Sequence, residues 1–184
     1  MRAKSSLHIR NKFLKMSFEH MSEFGLEQTS LRELCKNTGI SSGSLYYWFN
    51  NKDELIIAAA EFGFDNISSR IFDCNFDDIK NIKDFFDANM SRIKKFQNQL
   101  RFIYQVATSP MYGDKLRAKV EVFNSDCEKY TQKLANSLNY PADELKPFIY
   151  MYIDTVLDFI IWNNEEKTRT QLDCIYNLIE SRNK

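Results

Sequence analysis

Apolar residues recur along most of the chain at intervals of three and four, which is the period of an amphipathic α-helix. The first stripe, over residues 7–24, consists of Ile9, Phe13, Met16, Phe18 and Met21. Stripes of the same period predict further helices over residues 78–97, 100–109, 114–138, 142–163 and 167–182. No alternating pattern long enough for a strand, and no internal repeat, is found between them. The sequence therefore predicts an all-α protein of about nine helices.

The segment that follows the first helix carries a series of helix stop and start signals. Gly25 suits the position just after a helix end, where a left-handed backbone is favoured. Ser30, with Glu33 three residues later, forms a capping box for a second, short helix whose inner face includes Leu34. Gly39 ends this helix. A short helix bounded by two glycines is thus predicted here.

A third helix is predicted over residues 42–49, with Ser41 as its N-cap. Leu45 and Phe49 are four residues apart and share one buried face. The opposite face presents Ser42, Gly43, Ser44, Tyr46 and Tyr47. Asn51 is placed to cap a fourth helix that extends to about residue 71. Two short helices joined by a glycine turn, the second with small polar residues exposed, form a helix-turn-helix pattern.

The exposed face of the third helix suits contact with nucleic acid. Small side chains let the backbone approach base edges, and hydroxyl groups can bind bases or phosphates. The residues predicted to bind DNA are Thr29, Ser30, Ser41, Ser42, Gly43, Ser44, Tyr46, Tyr47, Trp48 and Lys52. The alternative is a helix-turn-helix that only builds a helical bundle. Leu45 and Phe49 account for packing but Tyr47 does not, which favours DNA binding; Tyr46 is equally suited to packing against the first helix.

The charge distribution supports this division of the chain. The 184 residues have a net charge of zero, but residues 1–52 hold eight basic and four acidic residues and the remainder carries the opposite excess. We therefore expect a basic DNA-binding domain over residues 1–52 and an acidic domain over residues 53–184. With 43% hydrophobic residues, the chain can build a core without disulfides or metal.

Several classes of protein are disfavoured by what the sequence contains. The four cysteines are scattered and the two histidines both lie in the first helix, so no metal site, no cofactor and no catalytic centre is expected. The N-terminus does not resemble a secretory signal, and the longest apolar run is too short and too charged to span a membrane. We expect a cytoplasmic protein that is not an enzyme.

Two runs of the sequence, FLKMSFEHMSEFG and TSLRELCKNTGISSGSLYYWFNNKDEL, resemble the DNA-binding head of the TetR family of transcriptional regulators. The resemblance covers about residues 9–60, including the Thr-Gly-Ile-Ser turn, the Leu-Tyr-x-x-Phe helix and the Lys-Asp-Glu-Leu helix start. Departures at Met16, Ser17, Met21 and Cys35 fall on packing positions. The resemblance implies a two-fold homodimer, a C-terminal body with a ligand cavity, and release from an operator on ligand binding.

The body is rich in aromatic residues, most of which belong to the core by base rate. Some are expected to face a small-molecule effector, because such sites are usually apolar with a few polar groups. The candidate ligand-binding residues are Phe86, Met90, Phe102, Phe123, Tyr130, Tyr152 and Asp154. For Asp154 and Asp158 the alternatives are a solvated edge, an ion pair with a neighbouring subunit, or contact with a ligand.

The last two predicted helices are apolar on more than one face, which suggests a four-helix dimer interface. The candidate interface residues are Phe148, Phe159, Trp162, Ile175, Leu178 and Ile179. The alternative is a central buried helix in a monomer. The dimer is favoured because one recognition helix alone rarely gives operator specificity.

Taken together, these patterns predict a sequence-specific DNA-binding regulator. With the resemblance to the TetR family, they lead us to expect a homodimeric repressor released from a palindromic operator by a small, largely apolar ligand. An activator and a ligand-independent regulator remain open. So does a helical protein-interaction module with a degenerate helix-turn-helix.

Overall fold

The computed structural model describes the backbone of residues 2–71 and 73–182, and the side chains of residues 7–71, 73–76 and 78–182. These residues form nine α-helices and no strand, as predicted. The helices are α1 (Arg2–Phe24), α2 (Leu31–Thr38), α3 (Ser42–Trp48), α4 (Lys52–Ile71), α5 (Ile82–Lys95), α6 (Gln97–Thr108), α7 (Gly113–Ser137), α8 (Ala142–Trp162) and α9 (Glu165–Arg182). Arg2 and Lys4, counted in the charge of the head, lie outside the described side chains.

The predicted helix caps of the head are confirmed. Gly25 and Gly39 adopt left-handed conformations, with φ of 84° and 68°. The Ser30 hydroxyl accepts a hydrogen bond from the Glu33 amide at 3.1 Å. Ser41 does the same for the Ser44 amide at 3.1 Å. These local contacts satisfy amides that the first turn of a helix leaves without partners, so the chain sets the limits of α2 and α3 by itself.

The predicted start of α5 is wrong. Residues Phe76–Asp78 form a short 3-10 turn, and α5 begins only at Ile82. Asn81 is the N-cap: its side-chain oxygen accepts a hydrogen bond from the Asp84 amide at 3.0 Å. Ile79 fits the helical spacing and is buried, but it packs from the turn that precedes the helix. The apolar spacing therefore placed the start of the helix before the residue that caps it.

The chain folds into two compact units. The first contains Met1–Ser68 and Asn98–Val120, and the second contains Ser69–Gln97 and Glu121–Lys184. Within the described part of the chain, no helix combines the length and the apolar character that crossing a membrane requires.

Phe18 lies at the centre of the first unit. Its ring meets Phe62 and Phe102 edge-on, with centroid distances of 6.3 and 5.6 Å. Gly63 lets α4 approach this ring, because a Cβ atom at position 63 would lie 2.4 Å from the Phe18 Cε2 atom. The close packing of α1 against α4 therefore requires a residue without a side chain at position 63.

We expect Gly63→Ala to destabilise the protein by about 1–3 kcal/mol, because the ring of Phe18 is held between two other aromatic rings and cannot move aside cheaply. Gly43→Ala is the matched control. A Cβ atom there would meet only the Ser41 hydroxyl at 3.9 Å, and alanine favours a helix. Urea unfolding measures both variants. Equal unfolding midpoints for Gly63→Ala and the parent protein would contradict the packing argument.

The second unit is built around α8, which packs against α9 and α5. The ring of Tyr152 stacks on that of Phe86, with centroids 4.6 Å apart and planes 2° from parallel. The Tyr152 hydroxyl donates a hydrogen bond of 2.7 Å to the side-chain oxygen of Asn89. Burial raises the pKa of Tyr152 strongly, so this phenol is a neutral hydrogen-bond donor.

Candidate nucleic-acid interface

Two fully buried residues fix the orientation of α3. Leu45 is 0% exposed and Phe49, immediately after the helix, is 3% exposed. The ring of Phe49 lies 6.2 Å from that of Phe13 in α1, and the Arg10 guanidinium lies 5.3 Å from its centroid on the ring face. These contacts anchor one side of α3 to α1, and they leave the opposite side of the helix free to face outward.

The outward side of α3 carries residues that its packing does not require. Ser42 and Gly43 are exposed, and the exposed fractions of Tyr46 and Tyr47 are 57% and 82%. Tyr46 therefore projects mainly into solvent. At Gly43 a Cβ atom would meet nothing nearer than the Ser41 hydroxyl at 3.9 Å. No close neighbour within the chain demands glycine, which is consistent with a surface shaped for an external partner.

Other predicted DNA-binding residues have partners inside the head. Thr29 is 1% exposed and its hydroxyl donates to the Gly25 carbonyl at 2.8 Å. Trp48 is half-buried, with its ring 6.4 Å from that of Phe13. The Lys52 ammonium donates to the Leu26 carbonyl at 2.5 Å. These three side chains hold the head together, in contrast to the outward residues of α3.

The three predicted serines around the helix starts have different roles. Ser30 and Ser41 are exposed N-caps, so each hydroxyl already accepts a backbone hydrogen bond. The Ser44 hydroxyl is half-buried and lies 3.0 Å from that of Ser41. A capping hydroxyl retains its proton for donation, so Ser30 and Ser41 are still able to donate to a phosphate oxygen.

Two polar contacts that support α3 and α4 were missed from the sequence. Glu54 accepts hydrogen bonds from the Asn50 side chain at 3.0 Å and from its amide at 2.9 Å, which lowers the pKa of this carboxyl group. The Tyr112 hydroxyl donates to Asp53 at 2.8 Å; burial and then this contact raise the pKa of Tyr112. The spacing of four between Asn50 and Glu54 was a usable signal, whereas Tyr112 lies too far along the chain.

The predicted ligand-binding residues do not all lie in one unit. Phe102 belongs to the first unit, where it is buried against Phe18. The other six belong to the second unit: Phe86, Met90 and Tyr152 are buried, Phe123 and Tyr130 are half-buried, and Asp154 is exposed. Asp158 forms an ion pair of 2.8 Å with Lys167 of the same chain.

The predicted dimer residues fall into two groups. Phe148, Phe159, Ile175 and Ile179 are buried within the chain itself. Trp162 and Leu178 are 72% and 43% exposed. Tyr150 and Met151 of α8, which were not among the candidates, are 50% and 42% exposed. Apolar spacing alone does not distinguish such exposed positions from those that pack in the core.

Residues 13–59 match the family described as bacterial regulatory proteins, tetR family. The head resembles that of the TetR family. The match begins at Phe13, the residue that anchors α3, and ends within α4. It therefore contains the whole helix-turn-helix, including the outward face of α3.

The fold of almost the entire chain resembles that of solved regulators. A transcriptional regulator of the TerR/AcrR family from Aquifex aeolicus VF5 is 20% identical, with a TM-score of 0.60 over 94% of this chain and 98% of that one. The reduced form of E. coli NemR is 16% identical, with a TM-score of 0.63 over 92% and 96%. A TetR-family protein from Vibrio parahaemolyticus is 12% identical, with a TM-score of 0.60 over 92% and 97%.

At these identities the likeness shows the fold, which is the all-α TetR-family fold with an N-terminal helix-turn-helix. Among curated proteins, none matches the sequence. The TetR-family head and this fold support a DNA-binding transcriptional regulator, and the structural neighbours are regulators rather than enzymes.

Proposed function

We propose that the protein is a homodimeric repressor that binds a palindromic operator through α3 and leaves it when a small molecule binds the second unit. The observation that carries this proposal is the outward face of α3, where Gly43, Tyr46 and Tyr47 are exposed on a helix anchored by Leu45 and Phe49. Such a face has little role in packing and suits the major groove.

Different parts of this face suit different parts of DNA. The hydroxyl of Ser42 and the bare backbone at Gly43 lie at the start of α3, the end that enters the groove in helix-turn-helix proteins. The longer side chains of Tyr46 and Tyr47 reach toward phosphates, as does the Ser30 hydroxyl at the start of α2. We therefore assign base reading to the small residues, and positioning on the backbone to the hydroxyl groups.

We assign dimerisation and effector binding to residues 53–184. Exposed apolar side chains on α8 and α9 suit a self-complementary interface, and two heads about 34 Å apart would reach successive major grooves. An effector needs only to favour a different spacing of the heads to weaken binding. The cytoplasm is the compartment that we assign to this function.

Binding to the DNA upstream of the protein's own gene tests the proposal. We expect a saturable complex in a gel-shift assay that is tighter than with a shuffled duplex. The logarithm of its affinity should fall linearly with the logarithm of salt concentration, by about 0.9 for each phosphate neutralised. Overlapping fragments of that upstream region are screened, so the operator is found wherever it lies within the region. No preference over shuffled DNA at any salt concentration would contradict the proposal.

A further inference from the structure

Three residues of α5, Phe85, Asn89 and Arg92, follow one another at spacings of four and three and so share one side of the helix. Phe85 and Asn89 are buried, and Asn89 accepts the hydrogen bond from Tyr152. One turn further along, Arg92 is half-buried. Its Nη1 atom is inaccessible to solvent and has no hydrogen-bond partner among the described residues.

A buried guanidinium donor without a partner is unfavourable, and it cannot be relieved by loss of a proton. The nearby acids do not compensate it. Asp73 and Asp126 both act on Tyr130, but neither forms an ion pair with Arg92 in the part of the chain described. Asp126 instead pairs with Lys129 at 2.9 Å. The Nη1 atom of Arg92 is therefore a donor whose binding capacity the described residues of the second unit leave unused.

Two tyrosines of the second unit are influenced by the charge of Arg92. Its positive charge lowers the pKa of both Tyr130 and Tyr152, against a larger rise caused by burial, so both phenols lie within its field. Tyr130 of α7 contacts Phe76, with ring centroids 5.5 Å apart. Tyr152 stacks on Phe86. Aromatic side chains near a cation are the pattern expected for binding an amphipathic anion.

We propose that Arg92 anchors the carboxylate of an amphipathic effector whose apolar part contacts the half-buried Phe76–Tyr130 pair. The planar guanidinium matches a planar carboxylate, and one cation balances one negative charge, whereas a phosphate group carries more. This inference rests on effector control by the second unit, and it narrows the expected effector from a largely apolar compound to an organic acid.

Pairs of compounds that differ only in the carboxylate test this assignment. The full-length protein is titrated with medium-chain and long-chain fatty acids and with arylalkanoic acids, each beside its methyl ester, and followed by thermal shift and calorimetry. We expect at least one acid to stabilise the protein more than its ester. Arg92→Gln should weaken binding of that acid by about tenfold to a hundredfold and leave ester binding unchanged.

Arg169→Gln is the matched control, because Arg169 is an exposed arginine of α9 and its replacement makes the same change of charge. Arg92→Lys keeps the charge without the planar fork and should give intermediate affinity. Without ligand, Arg92→Gln should melt no lower than the parent, because a buried donor that lacks a partner is removed. A panel without any preference for acids, or a preference that Arg92→Gln retains, overturns the assignment.

Gel shifts with the same compounds separate this inference from the proposed function. If esters release the operator as well as acids do, effector control stands and the role of Arg92 is wrong. If an acid binds through Arg92 without any effect on the DNA complex, the role of Arg92 stands and release by an effector is wrong.

Discussion

Tyr47→Ala is expected to lower operator affinity by about tenfold or more without changing the stability of the fold. The side chain is 82% exposed on the outward face of α3, so its removal costs little packing. Loss of a phenol that binds a phosphate removes a charge-assisted hydrogen bond together with its contact area. Fluorescence anisotropy with a labelled operator at fixed salt measures the affinity, and thermal melting checks the fold.

Two further variants make this result specific. Tyr47→Phe keeps the ring and removes only the hydroxyl, so it separates the hydrogen bond from the contact area. Met111→Ala truncates another large side chain of the first unit that is 70% exposed and lies outside α3, and it should bind DNA normally. If Tyr47 contacts a phosphate, its loss should weaken specific and shuffled DNA alike. The salt dependence should stay the same, because the phenol is neutral and releases no counterion. Unchanged affinity in Tyr47→Ala would remove Tyr47 from the interface.

Much of the head could be predicted because its determinants are local. Ser30 and Ser41 cap helices through amides three residues away, and Gly25 and Gly39 provide left-handed turns. Each of these signals acts within one helical turn. The start of α5 was predicted too early, because the buried Ile79 fits the apolar spacing of the helix although it precedes the N-cap, Asn81.

The partners of individual side chains could not be predicted, because periodicity identifies a buried face without identifying what covers it. Lys52 was predicted to bind DNA, and its contact within the chain, from the ammonium group to the Leu26 carbonyl 26 residues away, was not foreseen. The Tyr112–Asp53 and Tyr152–Asn89 hydrogen bonds join residues 59 and 63 positions apart. Similarly, α8 and α9 were predicted to form a dimer interface, but most of their apolar residues pack within the chain.

The exposed residues of α8 and α9 define the surface on which dimerisation can be tested. The helices α8 and α9 pack against each other, and the Arg182 guanidinium of α9 lies 5.2 Å from the centroid of the Phe148 ring of α8. Met151 of α8 and Leu178 of α9 are 42% and 43% exposed. Exposed apolar side chains on two packed helices suit a self-complementary contact.

Leu178→Arg is therefore expected to separate the dimer and to reduce affinity for the full operator by about a hundredfold or more. A two-fold interface contains every substitution twice, so the two new charges would be buried close to each other without partners. A monomer presents only one α3 and loses the gain in affinity from joined half-sites. Sedimentation equilibrium measures the assembly, and gel shifts compare the full palindrome with one half-site.

Val122→Arg is the matched control for Leu178→Arg, since Val122 is 60% exposed and gains the same charge on a different helix, α7. It should remain dimeric and keep its affinity. A Leu178→Arg protein that stays dimeric would place the interface elsewhere. A monomeric variant with full affinity for the palindrome would instead show that each head binds independently, and the operator would then need no two-fold symmetry.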